Sequence, residues 1–510
     1  MNEDWPAAPT HGALLVVGGN SGAGKSTVTA ALCRSWVRAG LDVVPFKAQN
    51  MSNHSAVTPD GGEIGRAQAM QALAANVDTD RRMNPILLKP TKAATSHVVV
   101  LGDEIGTTDA RSYAQTAQDL KPVVLEALDG LRRDHDWLIA EGAGGAAEIN
   151  LLDRDLVNLP LAAAAGIPAL LVVDIDRGGA FATAHGTIDL LPPHLRTQIG
   201  GIVFNQFRGD PSLLDGGIAD LEQRTGVPVL GVLPHLGDHP MLGVEDSLDI
   251  GITPQSHGSG NVSAPVRVAV IRLPHLSNPS DFDPLVMEPD VDLRWATSPG
   301  DLSDADLIIL PGSRATVNDL SWLRGRGLDE TLRSTDACVV GLCAGYQMLG
   351  QRIHDDVESG EGTVAGLGLL DVETTFEAPK VVSRASGHTM ETPAETRVVG
   401  YQIRWGRPRG ASRPWLELDG EPEGGRSADG SVCGTSLHGV LDGDDFRRAL
   451  LADVAERRGR TFTPAGRPYA AALEDHLEHL ADWVEKYVDI EALRVLGATA
   501  AAPGEGPGFS

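Results

Sequence analysis

The first segment that could do chemistry is a glycine-rich turn after the apolar run ALLVV. It reads Gly19-Asn20-Ser21-Gly22-Ala23-Gly24-Lys25-Ser26 and fits the phosphate-binding spacing Gly-x-x-x-x-Gly-Lys-Ser. Its glycines let backbone amides point at phosphate oxygens, the lysine reaches the outer phosphates, and the serine can bind Mg²⁺. A turn without a ligand is the alternative, but the flanking strand and helix favour a nucleotide. The predicted ATP contacts are Gly19, Gly22, Gly24, Lys25, Ser26, Thr27 and Lys47.

Acidic residues follow further apolar runs in this half of the chain. Glu141 comes directly after Trp137–Ala140, where a carboxylate beside a phosphate loop could bind Mg²⁺ together with Ser26. A solvated turn residue is the alternative for Glu141. Two later runs, Glu148–Asp155 and Asp174–Gly179, mix carboxylates with arginine, which is typical of surface ion pairs and also of metal, phosphate or substrate sites. The candidate substrate residues among them are Asp153, Asp155, Asp174 and Arg177.

The second half of the chain contains a candidate nucleophile, Cys343. It lies in the sequence Gly341-Leu342-Cys343-Ala344-Gly345, between an apolar strand and a helix, where glycines permit the sharp turn that exposes a nucleophile. The following helix would favour the thiolate, and the amides of Ala344 and Gly312 could bind an oxyanion. His438, distant in the chain, is the candidate base. The other cysteines, 33, 338 and 433, are interpreted as small buried hydrophobes.

Composition limits the classes of partner. The 510 residues carry a net charge of −27, which argues against nucleic acid and against an anionic membrane surface. Four cysteines and an acidic N-terminal stretch indicate a reducing compartment, so we expect a cytoplasmic protein with small-molecule ligands. Four of its seven lysines, Lys25, Lys47, Lys89 and Lys92, precede residue 93, which predicts a local cation cluster for phosphates and carboxylates. The oligomeric state stays open, a homo-oligomer included.

Elements that would position these residues can be predicted from hydrophobic patterning. Apolar strands alternate with helical stretches such as Ser26–Ala39 and Glu63–Ala75, which predicts an α/β fold with two domains, each a mainly parallel sheet flanked by helices. The polar stretch 253–265 is the predicted linker, between a domain over 12–252 and a domain over 266–495. Residues 499–510, rich in glycine, proline and alanine, are predicted to be a loose end.

Several motifs together resemble a known family. The cysteine motif with Ser436-Leu437-His438-Gly439 is similar to glutamine amidotransferase domains of the triad class. Together with the phosphate loop, the whole resembles the cobyric acid synthase family, phosphate-loop amidoligases fused to such a domain. Further matching stretches are Pro45-Phe46-Lys47-Ala48-Gln49-Asn50-Met51-Ser52, Gly65-Arg66-Ala67-Gln68, Glu141-Gly142-Ala143-Gly144, Asp174-Ile175-Asp176-Arg177-Gly178-Gly179 and Ile271-Arg272-Leu273-Pro274-His275-Leu276-Ser277-Asn278.

The resemblance implies a reaction and its ligands. ATP, with Mg²⁺, would activate carboxylates of a corrinoid polycarboxylate, adenosylcobyrinic acid a,c-diamide, as acyl phosphates. Ammonia released from glutamine by Cys343 and His438 would then pass between the domains and amidate the b, d, e and g positions, giving adenosylcobyric acid for cobalamin biosynthesis. It also implies substrate contacts at Gln49 and Asn50.

The sequence departs from the family pattern at several positions. Gly22 stands where the family usually has aspartate, and Gln402 and Arg404 stand in a family run Gly-Tyr-Glu-Ile-His. The glutamate that orients the histidine in many amidotransferases, in the run His-x-Glu, is absent because Val440 follows Gly439.

Two other functions stay open beside the one that the resemblance implies. They are amidation of another carboxylic acid, such as a cell-wall lipid precursor, and regulation by a protein that binds nucleotide without turnover.

Overall fold

A computed structural model describes residues 11–90, 95–109, 112–237, 265–390 and 395–509. These residues form two compact units, of which one comprises residues 11–237 with 474–509 and the other residues 265–473. Nearly all of the predicted linker, 253–264, lies outside the described residues. Within the described ranges, no helix combines the length and the apolar character needed to cross a bilayer.

The strands run through both units. They are β1 Gly12–Gly18, β2 Val43–Phe46, β3 Gln49–Met51, β4 Ser55–Val57, β5 Glu63–Gly65, β6 Ile86–Pro90, β7 Thr95–Val100, β8 Asp103–Asp109, β9 Trp137–Glu141, β10 Ala169–Asp174, β11 Ile199–Phe207, β12 Val229–Pro234, β13 Val266–Ile271, β14 Val291–Ala296, β15 Leu307–Leu310, β16 Cys338–Leu342, β17 Arg352–Asp355, β18 Gly362–Ala365, β19 Glu373–Thr389, β20 Arg397–Arg409, β21 Leu416–Leu418, β22 Glu421–Glu423, β23 Gly425–Arg426 and β24 Val432–Thr435.

The α-helices range from a single turn to six turns. They are α1 Lys25–Arg38, α2 Arg66–Ala74, α3 Tyr113–Asp134, α4 Leu159–Ala165, α5 Ala180–Leu190, α6 Pro193–Arg196, α7 Asp215–Thr225, α8 Asp283–Val286, α9 Thr316–Gly325, α10 Leu328–Ser334, α11 Ala344–Leu349, α12 Asp444–Arg458, α13 Tyr469–Tyr487 and α14 Ile490–Gly497. The predicted helix Glu63–Ala75 is wrong over its first three residues, which form β5.

The first unit is built around a six-stranded parallel sheet with the order β12-β11-β10-β1-β9-β2. Strand β1, in the interior of this sheet, shows why both faces of the sheet are covered. Leu15 and Val17 join the core on one face, and Leu14 and Val16 join the core on the other. Because successive side chains point to opposite faces, a strand buried on both sides is a continuous apolar run. The parallel α/β fold predicted for this half is confirmed.

The C-terminal residues differ from the predicted domain boundary. Residues 474–509 belong to the first unit, although the second domain was expected to run to 495. Apolar side chains of α13, among them Leu477, Leu480 and Trp483, join the core cluster of α1 and β1. Residues 499–509 are not a loose end, since the amides of Ala501 and Gly508 donate to the carbonyls of Gly166 and Ala164 at 2.8 and 2.9 Å.

The second unit contains the sheet β14-β13-β15-β16-β24-β23, parallel except for the β23–β24 pair. A second sheet, β18-β17-β19-β21-β22 with β20 paired to β19, is largely antiparallel and was not predicted. In α/β sheets, ligands bind beyond the carboxyl ends of parallel strands. Cys343 follows β16 at that edge, and His438 follows β24, its neighbour.

Candidate active sites

The phosphate loop lies between β1 and α1, as its sequence predicts. The amide of Gly19 donates to Val172 O at 2.9 Å, and Gly24, the residue before α1, has a φ of 85° that an L side chain rarely adopts. The ammonium of Lys25 donates to the carbonyls of Asn20, Ser21 and Gly144 at 3.0, 3.1 and 3.0 Å. Thr27 is partly exposed in the first turn of α1. The loop therefore presents a lysine held by backbone carbonyls at a helix N-terminus.

The carboxylate of Glu141, at the end of β9, forms hydrogen bonds with the phosphate loop and with two other segments of the first unit. Its Oε1 accepts hydrogen bonds from Ser26 Oγ at 2.7 Å and Lys47 Nζ at 2.8 Å, and its Oε2 accepts one from Gln71 Nε2. The carboxylate is 1% exposed. The buried hydroxyl and carboxylate oxygens are hard donors of the kind that Mg²⁺ prefers, and one or two such donors suffice when phosphates supply the rest. The residues thus fit the ion.

Two side-chain amides on α2 line the same region: Gln68 belongs to the matching stretch 65–68, whereas Gln71 was not predicted. Gln71 contacts Glu141, and Gln68, one turn earlier, accepts from Asn50 Nδ2 at 3.1 Å. Residues three apart share a helix face, so this spacing could have indicated the pair. Gln49 accepts a hydrogen bond from the hydroxyl of Tyr113. Asn50 and Glu141 therefore each form a hydrogen bond with a glutamine of the same helix, α2.

The two runs that mix carboxylates with arginine, 148–155 and 174–179, differ in their surroundings. Asp174, 5% exposed, holds the amide of Asp176 at 2.8 Å and lies 3.5 Å from Arg177 Nε. A Cβ placed on Gly22 would lie 3.8 Å from Arg177 Nη2, so this exposed guanidinium borders the phosphate loop. Asp155 instead accepts from the amides of Val157 and Asn158 at 2.8 and 2.9 Å before α4. Asp153 is exposed.

The predicted lysine cluster is only partly available to ligands. Lys47 pairs with Glu141, and Lys89 pairs with the buried carboxylate of Glu63. Lys92 lies outside the described residues. Asn205 and Gln206, at the end of β11, were not predicted; their amides donate to the loop carbonyls of Ala23 and Gly22 at 2.9 and 3.3 Å.

In the second unit, Cys343 occupies a strained turn. Its φ of 51° and ψ of −109° lie outside the regions that non-glycine residues ordinarily adopt, and it precedes α11 directly. Sγ donates to Ile403 O at 3.8 Å. Gly345 permits the turn, because a Cβ there would overlap the carbonyl of Leu310. The turn predicted around the nucleophile is present.

His438 is oriented by Asp281. Nδ1 lies 2.7 Å from Asp281 Oδ2, and the other carboxylate oxygen accepts from the amide of Gly439 at 3.0 Å. Burial lowers the pKa of His438, but the charges of Asp281 and Cys343 and hydrogen bonds to both raise it to about 10. The glutamate of the run His-x-Glu is absent, as the sequence shows, and a carboxylate from elsewhere in the chain, Asp281 before α8, orients the ring instead. Asp281 lies just beyond the stretch 271–278 that matches the family.

The predicted oxyanion donors lie near these groups. A Cβ on Gly312 would come within 2.9 Å of His438 Cε1, so only glycine leaves space there. Ala344 is the first residue of α11. Within the described part of the chain, no group accepts a hydrogen bond from the amide of Gly312 or Ala344. Both amides therefore lack an acceptor within the described residues, and their role as oxyanion donors stays a prediction.

The thiol of Cys343, the imidazole of His438 and the carboxylate of Asp281 contact one another in that order, which is the arrangement found in triad-class glutamine amidotransferases. With a phosphate-loop unit in the same chain, these features are those of the glutamine-dependent amidoligases. Family models agree: "CobB/CobQ-like glutamine amidotransferase domain" matches 267–446, and "CobQ/CobB/MinD/ParA nucleotide binding domain" matches 14–239. A cobyric acid synthase of Frankia casuarinae is 47% identical over 98% of this chain and 100% of its own. Another, from Rhodococcus jostii, is 48% identical over 96% of each chain. The chain belongs to the cobyric acid synthase family.

Proposed function

We propose that this enzyme amidates the b, d, e and g carboxylates of adenosylcobyrinic acid a,c-diamide to give adenosylcobyric acid in cobalamin biosynthesis. The observation that carries the proposal is the near full-length similarity to enzymes named cobyric acid synthase. Two complete half-sites support it, since an amidoligase needs both a phosphate donor site and an ammonia source. The nitrogen comes from glutamine and the activation from ATP.

In the second unit, glutamine is hydrolysed by the triad. At neutral pH a histidine with a pKa of about 10 holds a second proton, so His438 takes the proton of Cys343 Sγ and pairs with the resulting thiolate. The thiolate attacks the side-chain amide carbon, and the amides of Gly312 and Ala344 bind the resulting oxyanion. His438 gives its proton to the departing ammonia, leaving a thioester on Cys343. The imidazole then takes a proton from a water molecule as the oxygen of that water attacks the thioester carbon. The C–S bond breaks, which releases glutamate and restores the thiolate.

In the first unit, a substrate carboxylate attacks the γ-phosphate of ATP, which forms an acyl phosphate and releases ADP. Lys25 and the loop amides offset the charge of the phosphates. Ser26 and Glu141 would hold Mg²⁺, which supplies further charge neutralisation. Glu141 also keeps the ammonium of Lys47 at 2.8 Å, beside the serine hydroxyl. Ammonia then displaces phosphate and forms the amide. Gln49, Asn50, Asp174 and Arg177 are the proposed substrate contacts.

The test supplies the purified protein with ATP, Mg²⁺, glutamine and the a,c-diamide, and follows the corrinoid by mass spectrometry. We expect stepwise conversion of four carboxyl groups to carboxamides. Glutamine-stimulated ADP formation with another acid, but no amide gain on the a,c-diamide, would indicate a different substrate. Absence of ADP and glutamate under all conditions would indicate a nucleotide-binding regulator.

Two variants separate the half-reactions. Cys343→Ala should lose amidation with glutamine and retain it with free ammonia, because only the ammonia source is removed. Lys25→Ala should lose amidation with both nitrogen sources, whereas Lys486→Ala, in α13, should retain it. Synthesis by Lys25→Ala at the wild-type rate would contradict the phosphate role of this lysine.

A further inference from the structure

Strand β20 passes directly over the glutaminase site, and one charged residue on it has no role in the triad. Tyr401 stacks on His438 with ring centroids 5.5 Å apart, and Ile403 O accepts from Cys343 Sγ at 3.8 Å. Further along, a Cβ on Gly406 would come within 2.8 Å of the side-chain amide of Gln347. Arg404 lies between the contact to the nucleophile and the contact to Gln347.

The guanidinium of Arg404 is held in one orientation by neutral groups. Its Nε and Nη2 both donate to Gln402 Oε1, at 3.1 and 2.9 Å, and Nη1 donates to Gly406 O at 2.6 Å. An arginine has five N–H groups. Three are used here, so one on Nη1 and one on Nη2 have no acceptor among the residues that the structure describes.

Arg404 is also a partly buried cation without a carboxylate in contact. In the described part of the chain, no ion pair joins it to an acid. Glu423, the carboxylate that acts on it most, already accepts from Thr435 Oγ1 at 2.5 Å and from the amide of Ser436 at 2.8 Å. Burial lowers the pKa of Arg404, and the charge of Cys343 also acts on it. A cation in such a place favours an anionic ligand.

A second polar group nearby lacks a partner. Gln347 is 2% exposed, and its Oε1 has no hydrogen-bond partner. The Gln402, Arg404 and Gly406 positions share one face of β20, because alternate residues of a strand point the same way. That face therefore offers free donors from an arginine and a free acceptor from a glutamine, close to the nucleophile.

We infer that Arg404, oriented by Gln402, binds the α-carboxylate of glutamine and selects glutamine over amides that lack this carboxylate. Free glutamine carries an α-carboxylate and an α-ammonium at the end opposite its amide, so a site with N–H donors that lack an acceptor and a buried carbonyl oxygen matches that end. The inference rests on the proposed glutaminase function. It assigns a role to a position where the sequence departs from its family's pattern.

The test compares two substrates in Arg404→Ala, Arg404→Lys and Gln402→Glu. L-Glutamine is one, and 4-aminobutanamide, which has the same amide and amine but no carboxylate, is the other. Loss of a charge-assisted hydrogen bond should raise KM for glutamine about 10- to 100-fold in Arg404→Ala, with kcat little changed. The kcat/KM for 4-aminobutanamide should stay within about twofold. Arg409→Ala, exposed at the end of β20, is the matched control.

The isosteric variant Gln402→Glu gives an independent reading if Arg404→Ala does not fold. A carboxylate at position 402 would pair with both Nε and Nη2 and compete with the substrate, so KM for glutamine should rise while Arg404 is still present. Equal losses on both substrates, together with an altered pH profile for alkylation of Cys343, would assign Arg404 to the thiolate instead. An unchanged KM for glutamine would overturn the inference. Failure of the wild-type enzyme to release glutamate would instead overturn the proposed function.

Discussion

His438 can act as an acid at neutral pH because of its surroundings. Burial alone would favour the neutral ring, but Asp281 and Cys343 raise its pKa to about 10. Asp281 also fixes the ring by accepting from Nδ1 at 2.7 Å, so the other nitrogen faces the thiol. An imidazolium in this orientation can protonate departing ammonia without help from solvent.

Asp281→Asn should therefore impair glutamine hydrolysis. The amide cannot stabilise the imidazolium, so we expect kcat for glutamate release to fall by about 10²-fold or more, by analogy with other triads. Amidation with free ammonia should be unaffected. The measurement is glutamate release and corrinoid amidation under matched conditions, and equal glutaminase rates in wild type and variant would contradict the role of Asp281.

The same substitution should change how stability depends on pH. A histidine whose pKa is raised from 6.5 to about 10 on folding stabilises the protein fully below pH 6.5, and this contribution is lost as pH rises through about 10. The Tm difference between wild type and Asp281→Asn should thus be larger at pH 6.5 than at pH 9.5. A difference that grows with pH would mean that Asp281 does not stabilise the imidazolium.

At the scale of elements, the turn between β16 and α11 depends on close backbone packing. Gly345 lies against the carbonyls of Leu310 and Pro311, and a Cβ would overlap the first and approach the second within 2.9 Å. That segment leads into Gly312, so movement there would displace the proposed oxyanion donor. The geometry of the nucleophile and that of the oxyanion donor are therefore coupled through one glycine.

Gly345→Ala should destabilise the second unit by about 1–3 kcal/mol or more and abolish glutamine hydrolysis. Gly325→Ala, at the end of α9, is the control, since a Cβ there meets nothing within 4 Å. Calorimetry and glutamate release should both separate the two variants. A Gly345→Ala enzyme with wild-type glutaminase activity would refute the coupling.

Local patterns predicted most elements correctly where both faces of a strand are apolar. The apolar run ALLVV lies within the strand Gly12–Gly18, and the run Trp137–Ala140 forms all but the last residue of the strand Trp137–Glu141. The error over residues 63–65 arose because a three-residue strand has too few side chains to show a period of two. Asp281 was missed for a different reason: it meets His438 across 157 residues, and no local pattern encodes such a contact.

At the scale of the whole molecule, the sequence of a C-terminal helix does not show which of the two units the helix belongs to. The apolar face of α13 predicts that it packs on a core, but not on which one. Leu477, Leu480 and Trp483 join the cluster of Leu14 and Val16, at the opposite end of the chain. The nucleotide unit is thus assembled from both ends of the sequence, which explains the misplaced boundary at 495.

This arrangement predicts that a C-terminal substitution weakens the nucleotide unit. Trp483 is 6% exposed, and its Nε1 donates to Pro234 O at 2.9 Å. Trp483→Ala removes a large buried side chain, which costs about 3–5 kcal/mol and should lower the Tm of this unit by on the order of 10 °C. Val495→Ala, 56% exposed in α14, should shift it little. Because a ligand raises the Tm of the unit that binds it, the transition that ATP raises identifies the nucleotide unit in calorimetry of the full chain. Trp483→Ala should lower that transition, and a decrease confined to the other transition would contradict the assignment of α13 to the nucleotide unit.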